Sequence, residues 1–232
     1  MYIDFHSHIL PKIDDGSQSV EESVQMLEML ANQGVATVIA TPHFDPNRES
    51  VDDFIDRRGV AYRALCESDG ASLPGIEIKL GAEVTYYPGI SRMEGLEKLC
   101  IEGTGFLLLE MPMSKWSKYT LDEIVNMPST RGIVVIIAHV ERCMSYQDEK
   151  TLETLYESEI LLQINASYLL RAMTKRKAIK MLSRGQIHVI GSDCHNIKTR
   201  PPKIDSAYKV IADKLGDDFV RGFTDFNESL IS

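Results

Sequence analysis

The sequence predicts an α/β fold, a (β/α)7 barrel made irregular by its count of seven strands. Three observations lead there. Seven short apolar runs recur along the chain, amphipathic stretches long enough for helices separate them, and no Gly/Ser-rich linker, low-complexity tract or fixed-period repeat divides the 232 residues. A single domain over residues 1–232 follows from that continuity and from a length one barrel commonly fills.

The first apolar run is Tyr2–Phe5 and the second Val35–Ala40. Between them, Ser19–Ala31 carries Val20, Val24, Leu27 and Leu30 at helical spacing with acids between, and Gly34 stands where a helix C-terminus would place it. This is a strand, helix, strand unit. The runs Ile76–Leu80, Phe106–Leu109, Ile133–Ala138, Ile160–Ile164 and Ile187–Ile190 read as further buried strands. Helices are expected at Val51–Glu67, Leu121–Met127, Glu149–Ser158, Leu169–Arg184, Asp205–Lys214 and Asp217–Leu230, the last with the weakest periodicity. Strands alternating with helices imply parallel pairing.

Hydrophobic residues make up 44% and charged residues 25%, an ordinary globular balance. The net charge of −9 lacks the basic footprint that neutralises nucleic-acid phosphates, so no nucleic-acid partner is expected, although a basic pocket can exist on an acidic protein. The four cysteines form no C-x-x-C pair and are expected as reduced thiols. Asp4 and His6 occupy the N-terminal region where a secretory signal carries Lys or Arg, and no apolar run approaches the ~20 residues of a membrane helix. A soluble cytoplasmic chain, not embedded in membrane, is the expectation.

Metal-capable residues fall at the ends of the strands. The first run leads into His6-Ser7-His8, the second to His43, the third to Glu83, the fourth to Glu110, the fifth to His139 and the seventh to Asp193-Cys194-His195. The sixth ends in Asn165 and breaks the pattern. C-terminal strand ends of a βα barrel converge on one face, so these side chains would surround one cavity. A lone His beside an apolar run is more often a hydrogen-bonded core residue, but an H-x-H pair points two imidazoles to one side of an extended chain. His188, near the start of the last strand, is read as structural. Imidazole and carboxylate without thiolate favour Mn, Fe or Zn, and this many donors imply two or three ions. Asp14 or Asp15 adds a carboxylate, with Asp15 favoured and turn chemistry before Gly16 as the competing role. Arg142 and Arg200 lie on loops leaving the same face, and a guanidinium fork suits phosphate recognition. Several cations with two guanidiniums suit a phosphate monoester.

Read in order, DFHSHILPKIDDG at 4–16, ATPHF at 40–44, GAEV at 81–84, LLLEMP at 107–112, IIAHVER at 136–142 and GSDCH at 191–195 resemble the polymerase and histidinol phosphatase (PHP) family. Within it, the SHILPKIDDG opening, the HVER segment and Arg200-Pro201 are most similar to the metal-dependent protein-tyrosine phosphatases of bacterial capsule and exopolysaccharide operons. The resemblance implies the PHP fold, a distorted TIM-like (β/α)7 barrel, with up to three ions, commonly manganese. It carries over His6, His8, Asp15, His43, Glu83, Glu110, His139, Asp193 and His195 as metal ligands and Arg142 and Arg200 as phosphate-gripping residues. It also implies hydrolysis of phosphotyrosine by a metal-activated water, with a tyrosine autokinase of polysaccharide export as partner, and leaves a homo-oligomer open.

The chain departs from the family's HPERY segment at Val140 and Cys143, which bears on loop rigidity and substrate fit. Cys194, between two ligands, is read as packing, and neither Cys143 nor Cys194 begins the C-x5-R loop of a thiol phosphatase. Tyr86, Tyr87 and Trp116 are candidates either for an aromatic rim or for packing. Competing functions are a PHP phosphatase of a small metabolite such as histidinol phosphate and a non-catalytic metal-binding interaction module.

Overall fold

The computed structural model describes residues 1–67 and 75–232. Its strands are all parallel: β1 (Tyr2–Ser7), β2 (Val35–Ala40), β3 (His43–Phe44), β4 (Glu77–Leu80), β5 (Glu83–Thr85), β6 (Phe106–Glu110), β7 (Val134–Ile137), β8 (Leu161–Asn165) and β9 (Val189–Gly191). They form one sheet in the order β1-β2-β4 and a second in the order β3-β5-β6-β7-β8-β9. The architecture is a mixed α/β fold with a curled parallel sheet.

Every predicted apolar run is a strand, but the expected count of seven does not hold, because the described residues form nine strands in two sheets. Two runs are each followed, after a two-residue break, by a further short strand. Thr41-Pro42 separates β2 from β3, where proline offers no N–H to a ladder, and Gly81-Ala82 separates β4 from β5. Both members of the pair β2 and β4 therefore restart, and β3 pairs with β5 in register His43 to Glu83. Across the remaining gap, Asp193 N donates to His6 O at 2.8 Å and His8 N donates to Cys194 O at 2.9 Å, tying the end of β9 to β1.

Both faces of the strands are buried, which is why they read as unbroken apolar runs. Leu107, Leu109, Val135 and Ile137 pack in the large core with helix residues such as Leu27, Phe54 and Ile124, while Phe5, Ile39, Leu108 and Ile136 form a second, smaller cluster of strand residues. The layer of helices begins with α1 (Val20–Asn32), α2 (Val51–Cys66), α3 (Lys118–Val125) and α4 (Met127–Arg131). Ser19, Ser50 and Ser117 cap the first three by accepting a backbone N–H three residues on. Gly34 ends α1 at φ +80°, as its position predicts.

After α5 (Glu149–Glu157) the structure differs from the expected Leu169–Arg184 helix. It holds two, α6 (Ala166–Leu170) and α7 (Ala172–Ser183), broken at extended Arg171. The Tyr168 carbonyl accepts the Thr174 hydroxyl at 2.6 Å in place of the amide a continuing helix would supply. The chain closes with α8 (Ile204–Leu215) and α9 (Asp217–Ile231). Among the described residues no helix is long and apolar enough to cross a membrane.

The junction of β9 with β1 leaves no room at Gly191. A Cβ there would stand 2.4 Å from His6 Cβ and 3.1 Å from His6 N. Gly191→Ala should therefore force the two strands apart and cost about 1–3 kcal/mol of stability in urea unfolding. An unchanged midpoint and slope would show that the junction yields without strain.

Candidate metal centre

The strand ends deliver the predicted residues to one place. β1 carries His6 and leads to His8, β3 opens with His43, β5 opens with Glu83, and β6 ends on Glu110. His139 follows β7, and Asp193 and His195 follow β9. His139 and Asp193 adopt positive φ, +29° and +52°, a region uncommon for any residue with a side chain, although aspartate and histidine enter it more often than most. Strain of this kind persists where the surroundings over-determine it, and here it turns two side chains toward the centre.

Glu83 is the hub. Its Oε2 lies 3.2 Å from His6 Nε2, 3.3 Å from His8 Nε2 and 3.0 Å from His43 Nδ1, and its Oε1 lies 2.8 Å from His139 Nε2. Glu110 Oε1 stands 3.5 Å from His139 Nε2. Asp193 Oδ1 lies 3.7 Å from His6 Nε2, 3.6 Å from His8 Nε2 and 3.6 Å from His195 Nδ1. Asp15 Oδ1 reaches His43 Nε2 at 3.3 Å and His195 Nε2 at 3.5 Å.

Their donor atoms form four overlapping groups: His8, Asp15, His43 and His195; His6, His8 and Asp193; His6, Glu83 and His139; and His43, Glu83 and Glu110. All nine predicted ligands are thus brought together. The set fits bound divalent cations. His6 Nε2 and His8 Nε2 face each other at 3.1 Å over one carboxylate oxygen, a pairing a cation reconciles better than shared protons do. His195 Nε2 is buried without a hydrogen bond among the described residues.

Around these donors sits a supporting layer that the sequence reading missed. Asp14 accepts from His8 Nδ1 at 2.8 Å and from His43 N at 3.0 Å, so it orients His8 while neighbouring Asp15 joins the donor groups. Gln163 Oε1 accepts from His139 N at 2.7 Å and meets His6 Nδ1 at 3.1 Å. Asn165 Nδ2 donates to Asp193 Oδ2 at 2.8 Å. β8, the sixth of the apolar runs, therefore supplies amides rather than ligands, and the alternation of Gln163 and Asn165 along it was the signal available.

Arg142 and Arg200 both ion-pair with Asp193, the latter at 2.8 Å. Asn196 Oδ1 fixes the Arg200 loop by accepting from Lys198 N, Thr199 N and Arg200 N at 3.0, 2.7 and 3.1 Å. The two guanidiniums line a cavity of about 470 Å³ together with Asn165 and Asp193. His188 accepts from Leu162 N at 3.0 Å and is structural, as expected. Tyr86 and Trp116 are buried and hydrogen-bonded to Glu123 and the Pro112 carbonyl, which makes them packing residues. Cys143 and Cys194 are buried free thiols; burial pushes Cys143 up to about 12 and Cys194 further still, which removes the thiolate from consideration.

The family model described as capsular polysaccharide synthesis, CpsB/CapC, matches residues 2–231. The chain belongs to the CpsB/CapC family. It is similar to the tyrosine-protein phosphatase CpsB of Streptococcus pneumoniae, with 30% identity over 92% of this chain and 91% of that protein. It is 28% identical to the tyrosine-protein phosphatase YwqE of Bacillus subtilis over 99% of this chain and 91% of that one. Crystal structures of YwqE from Bacillus subtilis and CpsB from Streptococcus pneumoniae, described as unique metal-dependent tyrosine phosphatases, share the fold at a TM-score of 0.82 and 24% identity, covering 99% of this chain and 94% of that one. A histidinol phosphate phosphatase from Lactococcus lactis, complexed with zinc, L-histidinol and phosphate, shares it more distantly, with a TM-score of 0.53 and 13% identity over 92% and 93% of the two chains.

In this CpsB/CapC chain the buried carboxylates favour the protonated form of three of the imidazoles. Burial alone would lower His8, but hydrogen bonds and charges from Asp14 and Glu83 outweigh it and push His8 up to about 10. His6 and His43 are raised in the same way, against burial, chiefly by Glu83. Cations must displace these protons, so calorimetric titration at pH 7 in buffers of different ionisation enthalpy should show net proton release; buffer-independent heats would contradict this. Linkage gives a second expectation. Because His8 is raised from 6.5 to about 10, its contribution to metal-free stability is complete below pH 6.5 and is lost as pH rises toward 10. EDTA-treated protein should lose melting temperature across that interval, and a flat profile would argue against the His8, Asp14 and Glu83 contacts.

Proposed function

We propose that the chain is a manganese-dependent protein-tyrosine phosphatase acting as one metallophosphoesterase domain over residues 1–232 in the cytoplasm. Its substrate in this reading is a phosphotyrosine protein, a tyrosine autokinase that controls capsule or exopolysaccharide synthesis. The observation that carries the reading is the position of two guanidiniums, Arg142 and Arg200, on a carboxylate that itself belongs to the donor groups. The names of the CpsB and YwqE relatives supply the substrate class.

His6, His8, Asp15, His43, Glu83, Glu110, His139, Asp193 and His195 would hold two or three ions. Manganese is favoured, and the imidazole and carboxylate donors also accept iron or zinc. Bound ions would supply Lewis-acid charge and an acidified water for attack at phosphorus. The chain's own contribution is positional. Asp14 and Gln163 hold the rings of His8 and His6 by hydrogen bonds to Nδ1, and Asn165 holds Asp193. Arg142 and Arg200 each bond Asp193 through Nη2, which leaves further N–H donors for phosphoryl oxygens in the cavity. The phenol of tyrosine, with a pKa of about 10, leaves more readily than an aliphatic alcohol, so the site has less need of a strong general acid.

EDTA-stripped protein should regain hydrolysis of p-nitrophenyl phosphate and of a phosphotyrosine peptide when manganese is added. His43→Ala and Arg142→Ala should each lower kcat/KM on the peptide by about 10²–10³-fold, the scale of losing one charge-stabilising group. Inactivity on both substrates with every metal tried, with two or three ions still bound, would point to a binding module. Faster turnover of histidinol phosphate than of the peptide would move the assignment to a metabolite phosphatase.

A further inference from the structure

Charge is distributed unevenly along this acidic chain. Residues 171–203 hold nine lysines and arginines against one acid, Asp193, leaving 16 cations against 33 acids elsewhere. Among the described residues, only Arg200 of those nine makes an ion pair, whereas cations elsewhere are commonly paired, as at Arg57, Lys98, Lys115 and Arg131. Two of the unpaired cations, Arg171 and Lys203, line the same cavity of about 470 Å³ as Arg142 and Arg200.

The backbone under both is fixed. Arg171 sits at the break between α6 and α7, where its carbonyl accepts from Lys175 N at 2.9 Å. Gln33 brackets Lys203, donating to Pro202 O at 3.0 Å and accepting from Ile204 N at 2.7 Å. Two acids line the cavity: Asp193 is held by both guanidiniums and Asn165, and Glu141 accepts the Asn165 backbone N–H through Oε1 at 3.3 Å while its Oε2 is buried without a hydrogen bond among the described residues. Four cations thus line the cavity against two acids, and neither acid pairs with Arg171 or Lys203. Ligand pockets run from about 300 to 1,000 Å³, so the cavity has room for more than a phosphoryl group.

We propose that Arg171 and Lys203 form a second anion subsite, which takes a carboxylate or phosphoryl group borne by a residue next to the phosphotyrosine. An extended peptide advances about 3.3–3.6 Å per residue, so a flanking side chain within two positions enters the outer cavity once the phosphotyrosine occupies the inner one. The remainder of the chain repels an acidic peptide, and these cations offset that repulsion at the point of docking. The inference rests on the phosphotyrosine reading and names the preferred substrate class as acidic or multiply phosphorylated tyrosine segments.

Three phosphotyrosine peptides test it, flanked by neutral residues, by glutamates or by a second phosphotyrosine. Wild-type protein should favour either anionic peptide over the neutral one by about 5- to 10-fold in kcat/KM, a ratio that shrinks with added salt. R171Q/K203Q should bring the ratio near one, and the charge-preserving R171K/K203R should retain it. R176Q/K177Q, which removes the same charge outside the cavity, should also retain it. A wild-type ratio near one, a ratio that survives R171Q/K203Q, or an equal loss in R176Q/K177Q would overturn the subsite. Binding of the same peptides with phosphonate replacing phosphate, read by fluorescence polarisation, gives the ratio without turnover, so it decides the subsite even if p-nitrophenyl phosphate hydrolysis by the wild type fails and the phosphatase reading falls.

Discussion

Glu83 is almost fully buried and stands within 3.3 Å of a nitrogen on each of His6, His8, His43 and His139. A carboxylate taken out of water carries a penalty of several kcal/mol unless compensating charge surrounds it. That compensation requires four imidazoles from three separate parts of the chain to arrive at one point. The irregularities of the sheet serve this requirement. The interruptions at Thr41-Pro42 and Gly81-Ala82 let β3 and β5 turn His43 and Glu83 toward each other in register, and the positive φ of His139 brings its ring onto the other oxygen.

Asp193 joins the two halves of the site. On one side its Oδ1 approaches His6, His8 and His195, and on the other its carboxylate holds Arg142 and Arg200. Those positive neighbours, with His6 and His8 foremost, overcome burial and hold its carboxyl well below the usual range. A phosphoryl group entering the cavity would meet guanidiniums already aimed and partly neutralised, so little side-chain entropy remains to be lost on binding. Asn196 and Asn165 extend this order outward by fixing the Arg200 loop and the second oxygen of Asp193.

Much of this was legible in sequence because the fold rule is simple: apolar runs end at one face, so a His or acid just past each run shares a cavity with the others. Eight of the nine ligand candidates follow from that rule without knowledge of distance; Asp15 stands past no apolar run and was a candidate from the Asp14-Asp15-Gly16 segment, whose oxygen the fold places in a donor group. What the sequence concealed depends on long-range contact. Asp14 and Asp15 are adjacent, and only the fold shows that one meets His8 Nδ1 and the other His43 and His195. The nine-strand count was hidden because a two-residue interruption barely disturbs an apolar pattern. The break at Arg171 escaped because Leu169–Arg184 keeps helical periodicity across it, and the hydroxyl of Thr174 that takes the Tyr168 carbonyl has no signature of its own.

That break separates what the metal centre can explain from what it cannot. Converging imidazoles and carboxylates supply donors for cations and nothing that would tell one phosphate ester from another. Selectivity must come from groups that touch the rest of the substrate. Had α6 run on into α7, Arg171 would lie inside a helix with its backbone bonded in both directions. The extended residue instead places a cation on the cavity opposite a loop bracketed by Gln33. Both devices lie outside the metal ligands, so the outer cavity can vary while the chemistry beneath it stays constant.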